Sequence, residues 1–232
     1  MSKRKPLSIV INTLLGGALI LGASAASAYD AGDKILRVGV ASVQPNDSSS
    51  ELALDGTAIS GSEAGVKSNE QLGITFTYML SSDWGVEVLA ATPFEHDIVA
   101  NTGALGLGTV NAGSTKHLPP TFSLQYYPMD GASNIQPYFG IGLNYTKFFS
   151  EDVASDLEGV LGNGSLKLDD SIGLAFEAGI DYAINDKWQL NASIWYADID
   201  TEATFKFDGG NTIKTDVSID PLVSMISLSY KF

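Results

Sequence analysis

From Tyr29 onward the chain alternates large apolar side chains with small or polar ones, the two-residue period of β-strands. Eight segments carry the pattern: Lys34 to Val43, Gln71 to Leu80, Trp84 to Phe94, Thr121 to Tyr127, Gln136 to Phe148, Ser171 to Tyr182, Trp188 to Ala197 and Leu222 to Phe232. In the second, Leu72, Ile74, Phe76, Tyr78 and Leu80 share one side, and Gly73, Thr75 and Thr77 share the other. In the sixth, Ile172, Leu174, Phe176, Ala178, Ile180 and Tyr182 oppose Gly173, Ala175, Glu177, Gly179 and Asp181.

A period of two has no sign. In a soluble sandwich or lipocalin-like barrel the apolar face points inward; in an outer-membrane barrel it meets lipid, and small or charged residues fill the lumen. Three features favour the membrane. Aromatic residues (Trp84, Tyr126, Trp188, Tyr230 and Phe232) sit at strand ends, where interfacial girdles belong. Short connections (Ser81 to Asp83, Pro128 to Asn134, Ala183 to Lys187) alternate with long ones (44–70, 95–120, 149–170, 198–221). The chain closes on an aromatic strand whose Tyr230 and Phe232 share a face, of the kind that barrel-assembly machinery reads. The pattern predicts an all-β fold: a closed eight-stranded antiparallel transmembrane β-barrel with short periplasmic turns and four long extracellular loops. Closure pairs every backbone polar group within the hydrocarbon. An even strand number returns both ends of the barrel to the periplasm.

Ahead of the strands, Lys3, Arg4 and Lys5 precede an apolar run from Leu7 to Leu21, and Ala26-Ser27-Ala28 offers a small-x-small cleavage pattern. Residues 1–28 are expected to be a cleaved signal peptide, because the apolar run falls short of the ~20 residues a membrane-spanning helix needs. Residues 29–232 then form the barrel. Cleavage removes three basic residues and deepens an already acidic balance, formally −14 for the whole chain. That balance argues against nucleic-acid partners. The absence of cysteine excludes a disulfide scaffold, a thiolate metal site and a cysteine nucleophile.

Lys116-His117-Leu118-Pro119-Pro120-Thr121, followed by Gln125-Tyr126-Tyr127, resembles a recognisable stretch of the outer membrane protein W (OmpW) family. The run from Gln136 to Thr146, Trp84-Gly85-Val86-Glu87 and the terminal Tyr230-Lys231-Phe232 are similar to other segments of that family. The resemblance implies an eight-stranded outer-membrane barrel with a narrow interior, apolar toward the outside, that binds or passes small hydrophobic molecules. It also implies that some members act as bacteriocin receptors and that a close relative aids alkane uptake.

With the amino terminus periplasmic, strand direction assigns depth. Arg37, Glu87, Gln125, Glu177, Asp181 and Lys231 are inward in the lower half. Leu89, Ala91, Trp195, Ala197, Val223 and Met225 are inward in the upper half. The lower set is expected to form a polar plug, with the three carboxylates paired to Arg37 and Lys231, since a buried charge needs a partner. The upper set is expected to line an outward-facing apolar pocket. A ligand stopped by the plug would leave sideways into the bilayer; Pro119, Pro120 and Pro137 lack N–H donors and are the candidates for loosening the strand pairing.

His96 and His117, near Glu95 and Asp97, match no metal-ligand spacing and are expected to be exposed loop residues. No nucleophile–base arrangement or Gly-x-Ser-x-Gly elbow appears, so neither catalysis nor a cofactor is expected. The acidic stretches Glu151-Asp152, Asp169-Asp170 and Asp198 to Glu202 read as solvated loops that meet cations bridging lipopolysaccharide. The expected partners are outer-membrane lipid and lipopolysaccharide, a small hydrophobic ligand and the assembly machinery, with a monomer favoured. The leading function is passive conduction of small hydrophobic molecules. The alternatives are a structural or receptor barrel with an inert lumen, contacting phage, bacteriocin or host through its loops, and a small ion-conducting pore.

Overall fold

The computed structural model describes residues 29–106, 108–129 and 133–232; the expected signal peptide lies outside them. Eight long strands form the barrel: β1 (Lys34–Gln44), β2 (Asn69–Met79), β3 (Trp84–Ala91), β4 (Thr121–Tyr126), β5 (Ile135–Val153), β6 (Ser171–Ala183), β7 (Trp188–Ala197) and β8 (Leu222–Lys231). Each pairs antiparallel with its sequence neighbours, and β1 pairs with β8, from Ile35↔Lys231 to Gln44↔Leu222, which closes the cylinder.

Exposure fixes the sign that periodicity left open. Ile226 is 68% and Leu143 57% exposed, whereas Arg37 is 1% and Glu87 2% exposed. Apolar side chains face outward in a band around the barrel, and charges face inward, as hydrocarbon demands. Trp84 and Tyr126 pack together at 4.9 Å, and Trp188, Tyr230 and Phe232 form a second aromatic group with successive centroids 4.8 Å apart.

The four long connections carry regular structure of their own. The strand Phe94–Asn101 follows β3 after Thr92-Pro93, turns through Gly103–Leu105 and returns as Thr109–Leu118. These strands pair with Glu63–Val66 on one side and with the outer part of β5 on the other. A second small sheet joins Gly164–Leu168, Asp200–Phe207, Thr212–Ser218, Ala53–Leu54 and Thr57–Ala58. The two sheets enclose one apolar core containing Ile98, Ala112, Phe148, Leu166, Ile199, Phe205 and Val217, with Leu157 and Leu161 of the helix Ser155–Leu161 packed against it. The barrel wall thus continues above the membrane as a two-layered cap. β5 bridges both zones, bending where Ser150 (φ 51°) sits in a bulge between Phe149 and Asp152.

Candidate functional site: a sealed lumen and the cavities above it

Inward parity brings the lower charges together. Arg37 donates from Nε to Asp181 Oδ1 at 3.2 Å and from Nη2 to Asp181 Oδ2 at 2.7 Å, a bidentate pair. Its Nη1 reaches Glu87 Oε2 at 3.0 Å and Thr77 Oγ1 at 2.7 Å. Gln125 Nε2 donates to Glu177 Oε1 at 2.9 Å. Five of the six expected plug residues therefore meet in one layer, but Glu177, expected to pair with a cation, is held by the Gln125 amide instead. Lys231 departs from the expectation: it pairs with Asp33 at 3.5 Å and lies 5.9 Å from the Tyr29 ring. Its inward position is the last of β8, close to where Asp33 leads into β1, so the nearer carboxylate takes it.

Sequence reasoning left out the aromatic floor. Tyr29, Tyr127 and Tyr138 are buried with Ile35 and Met79. Tyr29 OH donates to Asp181 Oδ2 at 2.6 Å, and Tyr127 OH donates to Gln125 Oε1 at 2.9 Å. Asn191 Nδ2 donates to both Asp181 Oδ1 and Tyr138 OH at 2.9 Å. Tyr138 lies directly over Gly179, its register partner, where an added Cβ would collide with the ring. Parity alone marks Tyr127 and Tyr138 as inward, since they share a face with Gln125 and Gln136. Tyr29 precedes the first strand and leaves no such signal.

Above the plug lies a narrow apolar pocket lined by Leu89, Ala91, Trp195, Ala197 and Val223, together with Ala41, Val43, Phe94, Pro119 and Ile199. Met225 is not on its surface; it packs behind, in one cluster with Ala41 and Trp195. A still narrower cavity, the neck, shares Val43 and His117 with the pocket. It shares Val66, Ile98, Leu168 and Ile219 with a third, larger apolar cavity, the vestibule, inside the cap. Vestibule, neck and pocket thus share walls in series, and aliphatic side chains dominate all three.

The histidines belong to the neck, which overturns their reading as exposed loop residues: each is only 3% exposed. Burial pushes both below the ordinary histidine pKa, His117 to about 3 with the nearby His96 adding to the shift.

The prolines separate into two places. The β3–β4 ladder runs to Leu89↔Thr121 and resumes above the barrel at Phe94↔His117. Four residues, Ala90 to Pro93, oppose three, Leu118 to Pro120, without pairing, and Pro93, Pro119 and Pro120 all fall in this interval. The N–H of Tyr145 on β5 reaches the Pro120 carbonyl at 3.0 Å. Pro137 sits eight residues further down β5, roughly 27 Å along the strand, paired with Ile180. It therefore shares no opening with the other two.

Outside the lumen, Asp198, Asp200 and Asp220 each bring a carboxylate oxygen within 4.8 Å of the others on the cap surface, a geometry able to hold a cation. Ser218 Oγ donates to Asp200, and the Ile199 N–H donates to Asp220.

The OmpW family model matches residues 30–232. The chain is 49% identical over 223 residues to outer membrane protein W of Vibrio cholerae, covering 95% of this chain and 99% of that protein. The crystal structure of the outer membrane protein OprG from Pseudomonas aeruginosa superposes with a TM-score of 0.83 at 47% identity, over 89% of this chain and 99% of that one. A more distant relative from Pseudomonas aeruginosa, the dibenzothiophene metabolism operon protein PahQ, is 26% identical over 196 residues, which cover 84% of this chain and 87% of that one. An inverted strand pattern, a closed eight-stranded wall and these likenesses along the whole barrel have one explanation: the chain is a bacterial outer-membrane protein and belongs to the OmpW family.

Proposed function

We propose that this barrel binds small hydrophobic molecules at the cell surface and passes them passively into the outer membrane. The observation that supports this reading is the series of apolar cavities that ends on the Arg37 plug beside an interruption of the β3–β4 ladder. Burial of apolar ligand surface contributes ~25 cal/mol per Å², which suits weak, reversible occupancy of a narrow apolar pocket. The plug stops vertical passage: an eight-stranded barrel is filled by its own side chains, and these are cross-linked by hydrogen bonds. Ala91 and Pro119 line both the pocket and the unpaired interval, so the way out is lateral, at the β3–β4 seam. Pro137 takes no part in it. The relation to a protein named for a dibenzothiophene operon agrees with an apolar cargo. The role is that of a binder and conduit.

Uptake of naphthalene or n-octane by a deletion strain carrying Ala91→Phe or Ala197→Phe tests the reading. The bulkier side chain fills the pocket, and uptake should fall toward the level of the empty vector. Wild-type uptake in both variants would leave the receptor role, with an inert lumen, as the better account.

A further inference from the structure

The neck holds two histidines that a conduit for bare hydrocarbons has no use for. His96 and His117 come from adjacent strands, and their rings meet edge to face with centroids 4.9 Å apart. Phe94 and Phe148 stand against the His117 ring at 5.5 and 5.9 Å. His96 is hydrogen-bonded through Nδ1 to the Lys67 carbonyl. A carbonyl only accepts, so Nδ1 carries the proton and Nε2 of the neutral ring is left as a lone pair. Neither Nε2 has a partner among the described residues, although both are buried. Unpaired buried nitrogens cost stability that phenylalanine at the same positions would not.

Apart from Thr115, whose hydroxyl donates to the Lys116 carbonyl at 3.3 Å, the remaining wall is apolar, and no carboxylate lines the neck. A divalent cation would find two nitrogens and no anionic ligand there, a poor site for an ion that must shed its water. An anion would face the His96 lone pair. A neutral hydroxyl on an apolar body fits: it can donate to His96 Nε2 and accept from His117 if that ring is protonated at Nε2. Below the neck the buried Trp195 indole N–H, also without a partner among the described residues, lies on the pocket and offers a donor at the next level down.

We propose that the neck selects apolar molecules carrying one hydroxyl group, such as medium-chain alcohols and phenols, over the corresponding hydrocarbons, with His96 Nε2 as the recognising atom and His117 as its partner. The proposal rests on the conduit reading and specifies its substrate class.

The test uses the full barrel in lipid nanodiscs with 15N-labelled histidine, and 1-octanol and n-octane as probes. After correction for partition into lipid, 1-octanol should bind about five- to tenfold more tightly than n-octane, the advantage of one added hydrogen bond in a buried site. It should also move the Nε2 resonance of His96, which n-octane should not. In His96→Phe the affinity ratio should approach one. Equal affinities in the wild type, a preference that survives in both His96→Phe and His117→Phe, or an unmoved Nε2 resonance at saturating 1-octanol would each overturn the proposal; the last needs no variant to fold. If n-octane binds and 1-octanol holds no advantage, only the hydroxyl selection is lost. If neither probe binds, the conduit reading falls with it.

Discussion

Arg37 and Asp181 grip each other through two hydrogen bonds, 3.2 and 2.7 Å long, although their strands are not neighbours. Going round the wall one way, β8 and β7 separate β1 from β6. The pair is a strut across the lumen, and it ties together sides of the cylinder that backbone hydrogen bonds join only through intermediate strands.

Removing one end of that strut should be severe. Arg37→Met leaves Asp181 and Glu87 buried without their cation, a loss of ~3–5 kcal/mol. Urea unfolding of the refolded barrel in detergent, followed by its shift in gel mobility, measures this. Arg37→Met combined with Asp181→Leu should recover part of the loss, because both ends then become apolar together.

The contact of Tyr138 with Gly179 makes a second expectation. A methyl group at residue 179 collides with the ring. Gly179→Ala should therefore destabilise the barrel by about 1–3 kcal/mol and break the 2.9 Å hydrogen bond from Asn191. Adding Tyr138→Leu should relieve the clash, and the unfolding midpoint should rise relative to the single Gly179→Ala variant.

Acid should loosen the cap before the barrel. Both neck histidines bind protons more weakly folded than unfolded, where the pKa is near 6.5. Between that value and the folded pKa, about 3 for His117, the unfolded cap holds more protons, so stability falls as pH falls. Their contribution is fully present above about pH 6.5. Amide exchange over Phe94–Asn101, corrected for intrinsic rates, should show weaker protection at pH 5 than at pH 7.5, while protection in β6 and β7 should change little.

The three tryptophans report orientation separately. Trp84 and Trp188 are 43% and 41% exposed on the outer wall, whereas Trp195 is 2% exposed inside. Brominated phospholipids should quench Trp84 and Trp188 and spare Trp195. Equal quenching of all three, read from single-tryptophan variants, would contradict the inward placement of Trp195.

The strands were legible because lipid leaves half of each one uniformly large and apolar: in β6, Ile172, Leu174, Phe176 and Ile180 all face outward. The cap was not legible, although it alternates too. Its core positions include small or polar residues such as Ala112, Ala203, Thr201 and Thr215, and charges such as Glu95, Asp97 and Lys116 break up its apolar runs. Parity identified which charges enter the lumen. It could not identify partners, because Arg37 meets Asp181 across space that no strand ladder records, while Lys231, of the same parity, falls to Asp33. His96 and His117 looked like loop residues because the cap strands that carry them were not recognised.

β5 has 19 residues. At ~3.3 Å each and a tilt of ~40°, it rises on the order of 45–50 Å, against the ~25 Å apolar belt of such barrels. The cap therefore stands as a chimney, its mouth lifted clear of the hydrated headgroup zone that repels grease. On the proposed route, a molecule entering from above and leaving through the wall would reach the acyl chains without ever crossing that polar crust.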